Sequence, residues 1–236
     1  MRVVVVGAGV NGLSAAWQLA RRGCDVVLLE RVAAGHDRGS SHGKSRITRS
    51  TYSASDYVRL ARIAHEEEWP RLERESGERL LHRVPGCFFG PAGPALDAYT
   101  AAVAEAGDAV AVLPPEEGRR RFPLFAFPDA HRVLEDRTAA LVAAESVLQA
   151  LARRAVALGA EIREGVEVLA IEPGPASIAV RTAGGRVHGD AVVVAAGAWA
   201  ARLVPGLAAH LAVARQDVGY FRLAAPGQGR FALPGA

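Results

Sequence analysis

Val3-Val4-Val5-Val6-Gly7-Ala8-Gly9-Val10-Asn11-Gly12, near the start of a 236-residue chain, sets the architecture of what surrounds it. The four consecutive valines read as a strand buried on both faces, as in a parallel sheet. Gly7–Gly12 follows the pattern G-x-G-x-x-G, in which the first glycine permits a tight turn. The second lets backbone approach a pyrophosphate, and the third lets helix and strand pack closely. Leu13–Arg22 reads as a helix stopped by Gly23, and Asp25–Leu29 as a second strand closed by Glu30. Helix-start amides and the helix dipole favour a diphosphate, and the Glu30 carboxylate is placed to accept hydrogen bonds from an adenosine ribose. Together they make a βαβ unit for a dinucleotide. Val10, Asn11 and Arg31 lie beside these positions and join the cofactor-binding candidates.

Outward from this unit the pattern becomes irregular. Val32–Ser55 is rich in Gly, Ser, Arg and His and reads as a long polar loop, the kind that compact domains keep for function. Asp56–Gly77 reads as a helix capped by Asp56, with Val58, Leu60, Ile63 and Leu72 on its apolar side and a break at Pro70. Val84–Phe89 is expected as a strand and Ala95–Ala106 as a helix. Pro114–Pro128 is expected as a proline-bounded connection whose run Arg119-Arg120-Arg121 is a solvated turn, and Leu134–Ala140 as a weak strand or loop. Ala144–Leu158 is a second amphipathic helix, stopped by Gly159. Short strands follow at Glu161–Arg163, Val166–Glu172, Ile178–Thr182 and Arg186–His188, with Gly184-Gly185 as a hairpin signal. Ala191–Ala195 is again a buried strand, running through Ala196, Gly197, Ala198 and Trp199 into a short helix to Leu203. Gln216–Leu223 has strand character.

The totals exclude several classes. Half the residues are hydrophobic and 22% are charged with both signs mixed, which suits a globular protein with a sizeable core. The net charge of +3 comes from scattered arginines rather than a basic surface interleaved with aromatics, so no nucleic-acid partner is expected. Cys24 and Cys87 have neither metal-ligand spacing nor a disulfide pattern and read as inert buried thiols, which points to a reducing cytoplasm. The chain runs from Met1 straight into a strand, so no signal peptide is expected, and no apolar run is long enough to span a membrane.

The glycine motif alone does not choose between FAD and a nicotinamide cofactor. Two features favour FAD. The motif sits within a few residues of Met1, and the segment Val192–Gly197 resembles the strand that returns to the cofactor in flavoproteins; regular βαβ repeats, as in a nicotinamide dehydrogenase, are missing. The loop is more specific. Gly39-Ser40-Ser41-His42-Gly43-Lys44-Ser45-Arg46-Ile47-Thr48-Arg49, followed by Tyr52, resembles the flavin-contacting loop of the monomeric sarcosine oxidase family within the D-amino-acid-oxidase-like superfamily, whose pattern is roughly S-x-H-G-x-(S/T)-R-x-x-R-x-x-Y. Gly86–Gly90, Gly159-Ala160 and Gly197-Ala198-Trp199 fit the same family in order, so the resemblance runs over essentially the whole chain.

Read by themselves, two arginines three apart in a polar loop are solvated surface residues. The resemblance implies more. Arg49 matches the residue that clamps the substrate carboxylate, for which a guanidinium fork is suited because it binds both oxygens. Arg46 matches a residue against the flavin ring, where positive charge stabilises the anionic reduced flavin, and His42 and Ser45 match positions beside the ring, with Ser41 a further implied cofactor-binding residue. Ala196, Gly197 and Trp199 join the implied FAD contacts. So does Val168, which is also readable as a plain core valine. The implied fold is α/β, a Rossmann-like FAD-binding domain of the D-amino-acid-oxidase type (1–83 and 141–208) with an incomplete antiparallel substrate domain (84–140 and 209–236).

The implied reaction is oxidation of a secondary or N-methylated amino acid with imine hydrolysis and H2O2 release. Alternatives are a flavin dehydrogenase serving a partner protein and a truncated, non-catalytic FAD-binding domain. Family members are longer and carry an oxygen-activating lysine, a second carboxylate-binding basic residue, a flavin-linking cysteine and a last glycine-rich stretch. None of these is found here, and Lys44 stands where some relatives have an acidic residue. On that reading the 236-residue chain by itself is expected to retain FAD weakly, to be inactive and to self-associate through the edge of Gln216–Leu223, or to need a missing C-terminal half.

Overall fold

The computed structural model describes residues 1–33, 35–104, 107 and 109–217. In chain order the elements begin with β1 (Arg2–Val6), α1 (Val10–Arg21), β2 (Asp25–Leu29) and β3 (Ser45–Thr48). α2 (Ser55–Ile63) passes through a π turn at Ala64–Glu68 into α3 (Trp69–Ser76). Next come β4 (Leu81–Arg83), β5 (Gly86–Pro91), α4 (Pro94–Ala104), β6 (Val110–Leu113), α5 (Pro115–Arg121), β7 (His131–Asp136) and β8 (Ala140–Ala143). α6 (Ala144–Ala157), β9 (Glu161–Arg163), β10 (Val168–Pro173), β11 (Ile178–Thr182), β12 (Gly185–Gly189) and β13 (Ala191–Val194) lead to a 3-10 turn at Gly197–Trp199 and α7 (Ala200–Leu203).

The chain divides into two folded units, one made of Met1–Gly43 with the described residues from Glu145 onward, the other of Lys44–Ala144. In the first, a parallel sheet has the order β13-β1-β2-β9. Val3–Val6 pair with Ala191–Val194 on one side and with Val26–Leu29 on the other, and each of the four valines is at most 5% exposed. A strand covered on both faces needs apolar residues at every position, hence the unbroken run. α1 packs on β1 and β2 through the face Leu13, Ala16, Trp17 and Ala20. On the far side Val4, Val6, Val27 and Leu29 meet Val180 and Val187 of the antiparallel sheet β10-β11-β12. The Gly184-Gly185 hairpin is present as expected, joining β11 to β12.

The second unit holds two antiparallel sheets, β3-β8-β4 and β5-β7-β6. β7 is the centre of the latter. Its Leu134 packs with Val58, Leu96, Val103 and Val110 on one face, and its Val133 packs with Leu113 and Phe127 on the other. α5 lies so close to β7 that a Cβ at Gly118 would sit 2.7 Å from Val133 Cγ2. Glycine is the residue that fits.

Several expectations need correction. α1 starts at Val10 rather than Leu13, with Gly9 as its N-cap, so Gly12 lies in its first turn. The Val32–Ser55 loop contains β3, whose partner β8 lies about ninety residues downstream. The Val84–Phe89 strand is instead β4 and β5, parted by Pro85, which has no N–H to give a ladder. Pro114–Pro128 contains α5: Pro115 opens it, Glu116 and Glu117 occupy its first turn and Arg119–Arg121 its last, an order that complements the helix dipole. Leu134–Ala140 resolves into the end of β7, a turn and the start of β8.

Leu60 and Ile63 are 61% and 45% exposed, not buried. Leu60, two residues from Val58, faces the opposite side of the helix, while His65 and Leu72, seven and fourteen on, share the buried side. The break falls before Pro70 as a π turn, since proline offers no N–H to Glu66 and crowds its carbonyl. Ala54, not Asp56, caps α2. Cys24 and Cys87 are free but half-buried, and burial pushes the Cys87 thiol up to about 11, so it stays protonated at neutral pH. Glu105 and Ala106 of the expected Ala95–Ala106 helix, and residues 218–223 of the expected Gln216–Leu223 strand, lie outside the described residues; 216 and 217 belong to no element. Among the described residues no helix is long and apolar enough to cross a membrane.

Candidate active site

The carboxyl ends of β1, β2 and β13 meet at one edge of the parallel sheet, where open α/β sheets bind their ligands. Gly7 turns there with φ +101°, and a Cβ on it would lie 2.6 Å from the Ala195 carbonyl oxygen. A Cβ on Gly12 would lie 1.8 Å from the Gly7 carbonyl oxygen, so the helix and the turn touch backbone to backbone. Gly9 is different: its Cβ would meet the Ser41 Oγ at 3.2 Å and nothing else within 4 Å. The second glycine therefore leaves a backbone-lined cradle, while the other two close the turn.

Glu30, 6% exposed, ties the site together. One carboxylate oxygen accepts the Ala8 N–H at 2.7 Å, and the other accepts the Val32 N–H at 2.9 Å with His36 Nε2 3.3 Å away. A carboxylate has about four acceptor sites, which leaves capacity for a hydroxyl. His36 was not singled out from the sequence; a histidine six residues after the strand-closing acid carries no periodic signal. The Val10 N–H donates to Ser41 Oγ at 3.0 Å, so the loop caps the helix start. Asn11 is exposed in the first turn. Arg31 lies 5.1 Å from the Trp199 ring centre and 3.8 Å from a Glu167 carboxylate oxygen. Ala196 and Val168 pack against the Val4–Val27 core, and Gly197 opens the 3-10 turn with φ +52°. His42 Nδ1 pairs with the Gly39 carbonyl.

The other candidates belong to the second unit. Ser45 and Arg46 lie on β3, opposite Ala143 and Val142 of β8, and the Arg46 guanidinium donates to the Ser45 carbonyl at 2.8 Å. Arg49 follows the strand. Its Nε donates to the Thr51 carbonyl at 3.1 Å, and its guanidinium carbon stands 5.0 Å over the Tyr52 ring. Both contacts hold a cation on a short leash.

Two residues beside Arg49 escaped the sequence reading. Asp136, 2% exposed, accepts the backbone N–H groups of Ser50 and Thr51. Its local signal was the Asp136-Arg137-Thr138 turn, in which the carboxylate bonds the backbone two residues on. His65, 5% exposed in the π turn, has Nε2 3.3 Å from Thr48 Oγ1. Burial and then the Arg83 charge hold its pKa below the ordinary 6.5, against opposing pulls from Asp136 and the Arg49 backbone. Above 6.5 the imidazole is neutral folded or unfolded, and stability is complete. As pH falls below that value the unfolded chain takes the proton first, so stability drops until the folded imidazole titrates too. We expect the urea midpoint to fall between about pH 7.5 and about pH 5.5, and His65→Gln to flatten that fall. An unchanged slope in the variant removes His65 as its source.

The chain matches the family model "FAD dependent oxidoreductase" (DAO) over residues 2–232. It is 32% identical over 227 residues to the peroxisomal sarcosine oxidase of Mus musculus, covering 95% of this chain and 58% of that protein. It is 30% identical over 226 residues to the monomeric sarcosine oxidase of Bacillus sp. (strain B-0618), covering 93% of this chain and 57% of that one. Among solved structures, NikD, described as an unusual amino acid oxidase essential for nikkomycin biosynthesis, superposes in its open form with a TM-score of 0.72 and 28% identity, covering 87% of this chain and 53% of NikD. The chain thus spans just over half the length of these relatives.

Proposed function

The chain belongs to the DAO family of FAD-dependent oxidoreductases, and from that membership we propose that the whole protein oxidises the C–N bond of a secondary or N-methylated amino acid. The residues present fit the cofactor: Gly9 leaves the cradle a diphosphate needs, α1 turns its amide end toward it, and Glu30 has acceptor capacity left for a ribose hydroxyl. Gly7, Gly9, Val10, Asn11, Gly12, Glu30, Arg31, Val168, Ala196, Gly197 and Trp199 would hold FAD, and the family resemblance alone adds Ser41, His42, Ser45 and Arg46 to its contacts. Bound FAD supplies the two-electron acceptor. The substrate amine loses hydride from the carbon beside nitrogen, water hydrolyses the resulting imine, and O2 takes up the electrons as H2O2.

The observation that carries the substrate class is Arg49. Its guanidinium is held by the Thr51 carbonyl and the Tyr52 ring, which supports a role in which its fork would bind both oxygens of a substrate carboxylate. Arg46 would supply positive charge beside the bound ring. The domain roles belong to the same proposal: 1–83 with 141–208 for FAD, 84–140 with 209–236 for substrate. These domains differ from the folded units over 44–83 and 141–144, which fold with the second unit, and over the described residues 209–217, which group with the first. A cytoplasmic setting is proposed on the two free cysteines.

The test supplies the whole protein with FAD, O2 and N-methylglycine, proline or pipecolate, and follows oxygen and peroxide. We expect one peroxide per imine hydrolysed and no turnover of the corresponding carboxamides. Dye reduction without oxygen uptake would redirect the assignment to a dehydrogenase. Equal turnover of carboxamides would remove the carboxylate from the substrate description.

A further inference from the structure

Asp136 ends β7, the central strand of its sheet, where it pairs with Gly86 of β5 and Val110 of β6. A carboxylate this buried needs donors, and five converge on it. Oδ2 accepts the Ser50 N–H at 2.6 Å, the Thr51 N–H at 2.9 Å and the Thr51 hydroxyl at 2.9 Å. Oδ1 accepts the Thr138 N–H at 2.9 Å and the Thr138 hydroxyl at 2.7 Å. The Ser50 hydroxyl in turn lies 2.7 Å from the Thr138 hydroxyl. Bonds to an ionised acceptor are about twice as strong as neutral ones, so the cluster fixes the backbone of 50–51 against a rigid strand 86 residues away in sequence.

Among the described residues, both contacts of the Arg49 guanidinium hang from that same backbone. Its Nε donates to the carbonyl of Thr51, the residue Asp136 holds by both N–H and hydroxyl, and its charge rests over the ring of Tyr52, the next residue. We propose that Asp136 is the positioning residue that sets Arg49 for carboxylate recognition, through Thr51. Asp136 touches neither substrate nor cofactor in this role; it holds the turn, and the turn holds the guanidinium. The proposal rests on the reading of Arg49 as the carboxylate clamp.

A merely structural carboxylate would support the whole unit evenly. A positioning carboxylate loosens Arg49 more than the core around it. Asp136→Asn keeps the volume, but its amide nitrogen offers no lone pair to the donors on one side. The measurement is hydrogen exchange and 15N–1H spectra of the full chain, with the Arg49 Nε–H signal identified by its loss in Arg49→Lys, and titration with acetate and with acetamide. In Asp136→Asn we expect exchange at Arg49 Nε–H and at the Ser50 and Thr51 amides to quicken by about tenfold or more, and acetate affinity to drop about tenfold. Amides of Val133 and Leu134 should change far less. Should the Asn variant fail to fold, Thr51→Val removes the hydroxyl bond alone and should give the same pattern at smaller amplitude.

Unchanged Arg49 Nε–H exchange in the variant that folds overturns the proposal, as does quickening spread evenly through the second unit. Failure of the clamp reading looks different: acetate would leave the wild-type Arg49 Nε–H signal unmoved, while the exchange data would still decide whether Asp136 holds it.

Discussion

Gly9→Val will leave the chain folded and unable to hold FAD, whereas Gly12→Ala will damage the fold itself. The three glycines of one motif separate by what surrounds each. At Gly12 a Cβ meets the Gly7 carbonyl oxygen at 1.8 Å and its carbon at 3.0 Å, both backbone atoms in a turn pinned by Leu29 and Ala195. Neither can retreat, so a single methyl should cost about 2 kcal/mol or more, a fall of about 4–8 °C in Tm for a chain of this size. Gly9 has φ −71°, which any residue adopts, and its Cβ would press only on the Ser41 hydroxyl, a side-chain atom that can move aside. Its valine therefore occupies the cradle without breaking the turn. FAD affinity should fall at least about 100-fold, close to 2.8 kcal/mol, read by titration of flavin fluorescence beside a thermal melt. Wild-type affinity in Gly9→Val would mean that the diphosphate lies elsewhere.

Arg49→Met should raise the KM for amino-acid substrates about 10- to 150-fold, the worth of a charge-assisted pair of about 1.5–3 kcal/mol, while FAD affinity holds. Methionine keeps the length that packs over Tyr52 and removes the fork. The loss should be confined to substrates that carry a carboxylate, so the ratio of KM values for an amino acid and its amide is the sharper reading. If the whole protein shows the same ratio with Met as with Arg, the carboxylate is bound by another group.

The parallel-sheet unit was readable because its determinants are local. Val3–Val6, the three glycines and Glu30 lie within thirty residues, and each position's requirement appears in its own residue type. β3 was unreadable for the opposite reason. Ser45-Arg46-Ile47-Thr48 has no apolar alternation, and only pairing with Ala140–Ala143 makes it a strand. Arg46 and Arg49 could be selected by the loop pattern, yet their surroundings could not. The Thr51–Asp136 contacts join segments 85 residues apart, and His65, seven residues after Val58, is a polar side chain on the buried face of its helix that a count of apolar positions passes over. In α5 the run Arg119-Arg120-Arg121 has the look of a solvated turn, and the helix signal lies in the proline start and graded charges around it.

The placement of β1 bears on how the chain is made. β1 takes one neighbour, β2, at once, but the other, β13, ends at Val194, and Arg2 waits for an Asp190 that is 188 residues away. At roughly 5–20 residues per second on the ribosome, that interval is about 10–40 s. Throughout it one side of a four-valine strand has no permanent partner, while the whole of Lys44–Ala144 emerges with all the strands its two sheets require. The inserted unit can therefore finish folding before the unit whose sequence flanks it, and β1, made ahead of the inserted unit, is secured after it. Nascent β1 is where a chaperone would be needed, and slowing translation after Ala144 lengthens that exposure without touching a single contact of the finished fold.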